Sequence, residues 1–496
     1  MKCNHVYHGL ATILSVVLLL GGCKDFLDVK PKGKDIPETI EHYNGMFNST
    51  NLTSVTYTQV TELGTKLGVS TLYNIFMGDE LTATQTSISE LDFKMNQAYQ
   101  WEGKIFGEED DVCEWATMYQ QIYTFNVIIN NVMDASGGTN KRKLELQAEA
   151  RVNRAFRYLI LAQYFGKPYN ESTAGTDLCV PLVVEDDMNL KNLKRNTVQE
   201  VYNFIIKELE ESCPNLVEST NHPLRIYQCA GWFFLGKAYW VKGDYENARI
   251  ALEKALKSSE INTTGITLWD YNQMLSEWGY NSAKPYAWTS GFPANNTGAN
   301  KEVVYNYQYA ISSISSATGQ PKLFVKEKYM DLYEQDDLRR NFFSNKTRTG
   351  AAMEGYRRLP CRTVFNLGVE MPDLYLMLIE CQARSTNQAL QDEARVNLEE
   401  FRRHRMPQEA AVIPADITSQ EKLIRFVVEE RLREYMMTGI RWFDMRRLWN
   451  DPLFQDWKAE YTHTDGESSY TLTEDRLVYQ IPPKILVFNS DWQNNK

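Results

Sequence analysis

The chain has 496 residues, 43% of them hydrophobic and 12% aromatic, with 53 basic against 64 acidic side chains and a formal net charge of -11. An acidic chain without a clustered basic surface does not suit nucleic acid, because phosphate binding needs such a surface. The length is ample for a large core and, taken alone, would suggest about three domains.

Residues 1–22 read as an export signal. Lys2 precedes an apolar run over residues 10–20, roughly a dozen residues against the ~20 that a membrane-spanning helix needs. Leu20-Gly21-Gly22-Cys23 then sets two small residues ahead of a thiol and resembles a bacterial lipobox, which would make Cys23 the lipid-bearing first residue of the mature chain. The other reading is an ordinary signal peptide cleaved nearby, with Cys23 incidental. Anchoring by more than one acyl chain holds a soluble domain at a bilayer without crossing it, and residues 23–496 contain no stretch that approaches a span.

Residues 53–107 are irregular, rich in Gly, Asn, Ser, Thr and aromatics, and include Tyr99-Gln-Trp101. Glu108-Glu109-Asp110-Asp111 follows; it could hold a hard cation, or be a solvated acidic run at a helix start, where it suits the dipole. The stretch "WATMYQQIYTFNVIINNVM" is an aromatic-rich helix, and residues 145–165 set Ala148, Val152, Phe156, Leu159 and Ile160 on one helical face. Thr197-Val-Gln-Glu200 is a capping-box pattern ahead of Val198, Val201, Ile205 and Leu209.

The clearest organisation is in "AGWFFLGKAYWVKGDYENARIALEKALKSS". Gly243-Asp244 marks a turn between two helical patterns. Counted from Cys229, Trp232, Leu235, Gly236 and Tyr239 occupy positions 4, 7, 8 and 11 of a 34-residue unit, and Ala248, Leu252 and Ala255 positions 20, 24 and 27. That is the tetratricopeptide (TPR) register, in which small residues lie where two helices cross and one unit needs stacked neighbours to bury its apolar face. The same stretch also fits most of a phosphate-binding P-loop. Ala238 stands where a hydroxyl would ligate Mg²⁺, and the loop interior is aromatic, so a nucleotide site is excluded.

Residues 261–349 are the second irregular segment, with Trp269, Tyr271, Trp278, Tyr280, Tyr286, Trp288 and Phe292 among Gly and Asn. Long irregular insertions in a helical fold are functional or disordered, and aromatic content argues against disorder. Such rings stack on the C–H faces of sugars, or they fill satellite cores beneath loops. The candidate ligand contacts are Tyr99, Trp101, Trp269, Trp278, Tyr280, Tyr286 and Trp288.

A further helix pair spans residues 373–405, and Thr418-Ser-Gln-Glu421 repeats the capping-box pattern before Leu423, Val427, Val428 and Tyr435. Residues 429–449, "EERLREYMMTGIRWFDMRRLW", mix opposite charges with aromatics, Glu429 and Arg433 pairing at i,i+4. This is either an anion or catalytic site or an ion-pair network pinning helices together. About ten helices in all, over roughly 108–260 and 370–450, make the fold mainly α.

Chemistry-bearing motifs are otherwise thin. There is no G-x-S-x-G elbow, and a glycosidase pair of carboxylates cannot be singled out among 64 acidic residues. His42, His222, His404 and His463 have no metal-ligand spacing. Cys113, Cys179, Cys213, Cys229, Cys361 and Cys381 form no CxxC pair, leaving free thiols or one or two bridges open. No catalytic residue, metal or cofactor is expected.

Taken in order, several stretches resemble the SusD/RagB family of surface lipoproteins from Gram-negative bacteria. They are Cys23 with "KDFLDVKP", "MGDELTA" at 77–83, "ARVNRAFRYLILAQYFGKPY" at 150–169, the TPR unit, "YEQDDLRR" at 333–340, and the charged stretch at 429–449. The resemblance spans the mature chain, 23–496. It implies a scaffold of about four TPR units on the outer face of the outer membrane, capping a SusC-like, TonB-dependent transporter. Oligosaccharide would bind the irregular side and pass to the pore, the TPR side would dock the barrel, and hydrolysis would belong to other proteins. It also assigns the charged stretch to the scaffold. Family contacts come from aromatics in variable loops, so the seven rings above rest on composition and position. Some members serve peptide uptake, which makes oligopeptide the alternative ligand.

Overall fold

The computed structural model describes residues 37–496 apart from 62–63, 71, 263–264, 290, 294–297, 311–320 and 363; the apolar leader and Cys23 lie outside the described residues. Long amphipathic helices carry the scaffold: α1 Cys113–Asn131, α2 Asn140–Phe165, α3 Val198–Ser212, α4 Gln228–Lys242, α5 Tyr245–Glu260, α6 Met371–Ala383, α7 Gln388–Arg403, α8 Gln420–Tyr435 and α9 Ile440–Leu448. From α1 to α7 each packs on the next in sequence, and α6 also packs on α8. Each buried stripe is thereby covered by its neighbours, as stacked helical hairpins require.

Local chemistry sets the boundaries. Thr197 Oγ1 accepts from the Glu200 N–H at 3.2 Å and the Glu200 carboxylate accepts from the Thr197 N–H at 2.9 Å, the capping box the sequence indicates for α3. The second box does not form, and the cap moves on by one residue. Ser419 caps α8, its hydroxyl accepting from the Lys422 N–H at 3.2 Å, because the Thr418 N–H is spent on the Asp416 carbonyl in the preceding turn. Between α4 and α5, Gly243 takes a left-handed φ of 79° that closes α4, and Asp244 caps α5 by accepting from the Asn247 N–H.

Gly236 is small for a measurable reason. A Cβ there would lie 2.6 Å from Leu252 Cγ and 3.3 Å from the Ala248 carbonyl. Cγ is a branch point, not a free tip, so Leu252 cannot swing aside. Overpacking of this kind costs about 2 kcal/mol, more than the ~1 kcal/mol an alanine gains in helix propensity. Gly236→Ala is therefore expected to lower stability by about 1 kcal/mol, read as a lower urea midpoint; an unchanged or higher midpoint would mean that α4 and α5 separate freely.

The irregular segments are held by short antiparallel ladders. Leu81–Thr82, from the first, pairs with Phe324–Val325, which pairs with Ala352–Arg358 and through it with Phe343–Lys346. The two segments are thus hydrogen-bonded into one body. Val303–Tyr305 pairs with Val369–Glu370, which runs directly into α6. One large core passes from the helices into this body, and a smaller one gathers Ile40, Phe47, Phe125 and Ile128 where the first helical turn meets α1.

Candidate functional site

The structure turns five of the seven candidate aromatics inward. Tyr99 and Trp101 clamp the His463 ring, with centroids 4.3 and 3.9 Å away, and the Trp101 indole donates to the Met77 carbonyl at 3.0 Å. Trp101 takes a left-handed φ of 53° and is only 2% exposed. Trp269, Trp278 and Trp288 belong to a second aromatic core with Tyr271, Phe292 and Phe342. Two of the indole N–H groups are satisfied inside, Trp269 by Asn300 at 3.0 Å and Trp288 by the Trp278 carbonyl at 3.1 Å. Rings in a segment poor in aliphatic residues supply its core, so packing and not display fixes these five. Tyr280 and Tyr286 keep part of their surface in solvent. Tyr280 donates to Asn341 at 2.7 Å, and Lys346 Nζ stands 5.8 Å from the centre of the Tyr286 ring.

The charged stretch of α8 and α9 is a buried ion-pair network. Glu430 receives Arg402 and Arg433 at 2.8 and 2.9 Å and also Arg339; Glu434 receives Arg405 and Arg339 at 3.0 and 3.1 Å. Arg431 bridges Asp373 of α6 and Asp444 of α9, and Arg447 meets Glu380 of α6 at 2.9 Å while lying 3.6 Å from the Trp240 ring centre. Every one of these carboxylates has a guanidinium partner, which leaves none poised as a base or nucleophile. The weak i,i+4 contact of Glu429 with Arg433, at 3.9 Å, is peripheral to it.

One cleft opens beside this network, between α8, α9, the short helix Glu327–Met330 and the stretch Pro452–Glu460, with a volume of about 380 Å³. Its floor is the pair Asp79–Arg441, in which the guanidinium donates through Nε and Nη2 at 2.6 and 3.0 Å. Burial would raise the Asp79 carboxyl, but Arg441 and the Tyr329 hydroxyl outweigh it and hold it below the ordinary range. The wall includes Trp457, which is partly exposed. Trp457 was not among the sequence candidates because it lies outside both irregular segments; the Asn-Asp-Pro break at residues 450–452 is the signal that a further loop begins there.

Among the described residues no three His, Cys, Asp or Glu side chains converge as a metal ion requires, and no helix is long and apolar enough to cross a membrane. The acidic run before α1 is a surface feature, Asp110 paired with Lys94 and Asp111 with Lys484. The six described cysteines are free thiols.

Two family models match the chain. One, described as starch-binding associating with outer membrane and SusD-like, covers residues 25–239; the other, described as SusD family, covers residues 371–486. The chain belongs to the SusD/RagB family. The architecture is that of SusD-superfamily structures: one from Bacteroides thetaiotaomicron superposes with a TM-score of 0.67 at 17% identity, over 92% of this chain and 100% of that one. A SusD-like carbohydrate-binding protein from Bacteroides vulgatus gives a TM-score of 0.65 at 16% identity, over 92% and 97%. A laminarin-binding SusD-like protein gives 0.54 at 17% identity, over 84% and 92%. At these identities the likeness is one of fold. No curated protein matches in sequence.

Proposed function

We propose that the protein is a non-catalytic, surface-exposed lipoprotein of the outer membrane that captures oligosaccharides and delivers them to a SusC-like, TonB-dependent transporter. The observation that carries this reading is the match of residues 25–239 to a family described as starch-binding and associating with the outer membrane. Two features agree with it: the lipobox-like Leu20-Gly21-Gly22-Cys23, and a network in α8 and α9 whose carboxylates are all committed to arginines. Of the seven sequence candidates, Tyr280 and Tyr286 keep part of their surface in solvent, which supports them as glycan contacts; Tyr99, Trp101, Trp269, Trp278 and Trp288 would first have to leave the core.

Saturation-transfer NMR of the mature protein with plant, host and microbial oligosaccharides and a mixed peptide pool tests the reading. Transfer to intact sugars is expected. New reducing-end signals would mean an enzyme, and transfer to peptides alone would mean peptide capture. Anchoring is tested separately: Cys23→Ala is expected to move the protein from the membrane to the soluble fraction, since lipidation supplies the tether. Retention at the wild-type level would refute the lipid as the sole anchor.

A further inference from the structure

Tyr286 stands among cations that carboxylates leave unanswered. The hairpin of Phe343–Lys346 and Ala352–Arg358 carries Lys346, Arg348, Arg357 and Arg358 against Glu354 alone, in a chain of net charge -11. Arg358 turns inward and donates to the Met436 carbonyl at 2.7 Å. The other three form no ion pair among the described residues, with Glu354 or with any other carboxylate. Arg357 is 6% exposed; its Nε donates to the Lys346 carbonyl and its Nη2 to the Tyr286 carbonyl, each at 2.8 Å, while Nη1 makes no hydrogen bond and keeps surface open to solvent. Burial and then the neighbouring Arg348 push this guanidinium below its usual range. A cation held in the interior without a counter-charge costs free energy that an anion recovers. Lys346 and Tyr286, whose carbonyls hold Arg357, also meet each other, with Nζ 5.8 Å from the ring centre. Arg348 sits in a turn closed by the Gly350 N–H donating to the Thr347 carbonyl at 3.0 Å. Gly350 has a left-handed φ of 93° and lies so near the Tyr286 ring that a Cβ there would be 3.3 Å from Oη. Turn, guanidinium and ring are thereby fixed relative to one another.

With Nε and Nη2 spent, Arg357 cannot grip an anion in two-pronged fashion. It offers one donor, and the exposed Lys346 and Arg348 offer the rest. A neutral sugar would leave the three charges unanswered, an amino sugar would add a fourth, and an acidic peptide would answer the charges but bring no flat apolar face to the ring. An acidic sugar brings both parts, an anionic group for the cations and a C–H face for the exposed part of Tyr286. Resting on the glycan-binding reading above, we propose that this patch is a subsite for an acidic sugar unit, uronate or sulfated, of the captured oligosaccharide. Arg357 Nη1, Lys346 and Arg348 hold the anion, and Tyr286 holds the sugar ring. Such a ligand differs in charge from the starch of the matched family's description.

The test uses the mature full-length protein and calorimetric titration with oligogalacturonates, sulfated galactan oligosaccharides, neutral gluco-, manno- and galacto-oligosaccharides, and a tetraglutamate peptide. Wild type is expected to bind one of the acidic sugar sets more tightly than any neutral set, and more weakly as salt rises. Lys346→Gln combined with Arg348→Gln, both at exposed positions, should weaken that binding about tenfold, Arg357→Gln by a similar factor, and Tyr286→Ala several-fold. Thermal melts identify an Arg357→Gln that fails to fold, in which case the exposed double variant decides. Unchanged acidic-sugar affinity in the folded variants places the anion elsewhere and overturns the subsite. A preference of wild type for neutral sugars also overturns it, while glycan capture stands. Tetraglutamate bound as tightly as the sugars, and indifferent to Tyr286→Ala, overturns the sugar assignment in favour of peptide. If wild type binds no glycan, the functional reading fails and the subsite falls with it.

Discussion

Glu430→Ala is expected to destabilise the protein by about 3–5 kcal/mol, the range for removing one partner of a buried ion pair, and so to remove much of the stability a domain ordinarily has. Glu430 is fully buried in α8 and is shared by Arg339, Arg402 and Arg433, which come from the segment after "YEQDD", from α7 and from α8 itself. Burial opposes its charge, but the three guanidinium groups win and push its carboxyl far below the ordinary range. Removing it leaves three cations in the interior; Arg402 retains Glu334, Arg339 retains Asp337 and Glu434, and Arg433 retains only the Leu332 carbonyl and the distant Glu429. Glu430→Gln, which keeps the volume and loses the charge, separates electrostatics from packing. Urea denaturation reads both, and a loss below about 1 kcal/mol in either variant would mean that water or repacking substitutes for the carboxylate. The sign with pH follows from the depressed folded value: this stabilisation is present above the ordinary glutamate range and is lost as pH falls through the folded value.

Helical organisation is legible in the sequence wherever one turn determines the next. Gly236 and Leu252 lie sixteen residues apart in a fixed register, and Thr197 with Glu200 closes within one turn. Thr418 shows the margin of such signals, since either of two adjacent hydroxyl residues could cap α8 and the Asp416 turn selects Ser419. The irregular body is less legible because its contacts join distant positions. Tyr99 donates to Thr464 across 365 residues, and His463 sits between the carbonyls of Tyr99 and Gly78. No local pattern tells that a Tyr-Gln-Trp stretch closes around a histidine near the other end of the chain, and so surface display and internal packing look alike. The charged stretch is the intermediate case. Its alternation signals pairing, yet the partners Asp79, Asp373 and Glu380 come from other elements that only the fold brings together.

Adjacent carboxylates in "MGDELTA" have opposite fates, and from this a second large effect follows. Asp79 is held ionised by Arg441. Glu80, 1% exposed, forms no ion pair among the described residues: one oxygen accepts from the Met437 N–H at 3.3 Å and the other has no partner. It lies tightly on Gly78, where a Cβ would come within 2.0 Å of its free oxygen. Burial first, and then the charge of Asp79, raise its carboxyl from the ordinary 4.5 to about 7. The folded state therefore holds this proton more tightly than the unfolded chain does, which makes stability fall as pH rises from about 4.5 through about 7 and level off beyond. At 1.36 kcal/mol per unit the full swing is about 3 kcal/mol. Glu114 and Glu370, also buried and raised to about 7, act in the same direction. Glu80→Gln, which cannot ionise, is expected to flatten the loss between pH 5 and 8 by about 3 kcal/mol and to be more stable than wild type at pH 8. Identical pH slopes for wild type and variant in urea denaturation would mean that water reaches Glu80 between Met437 and Gly78.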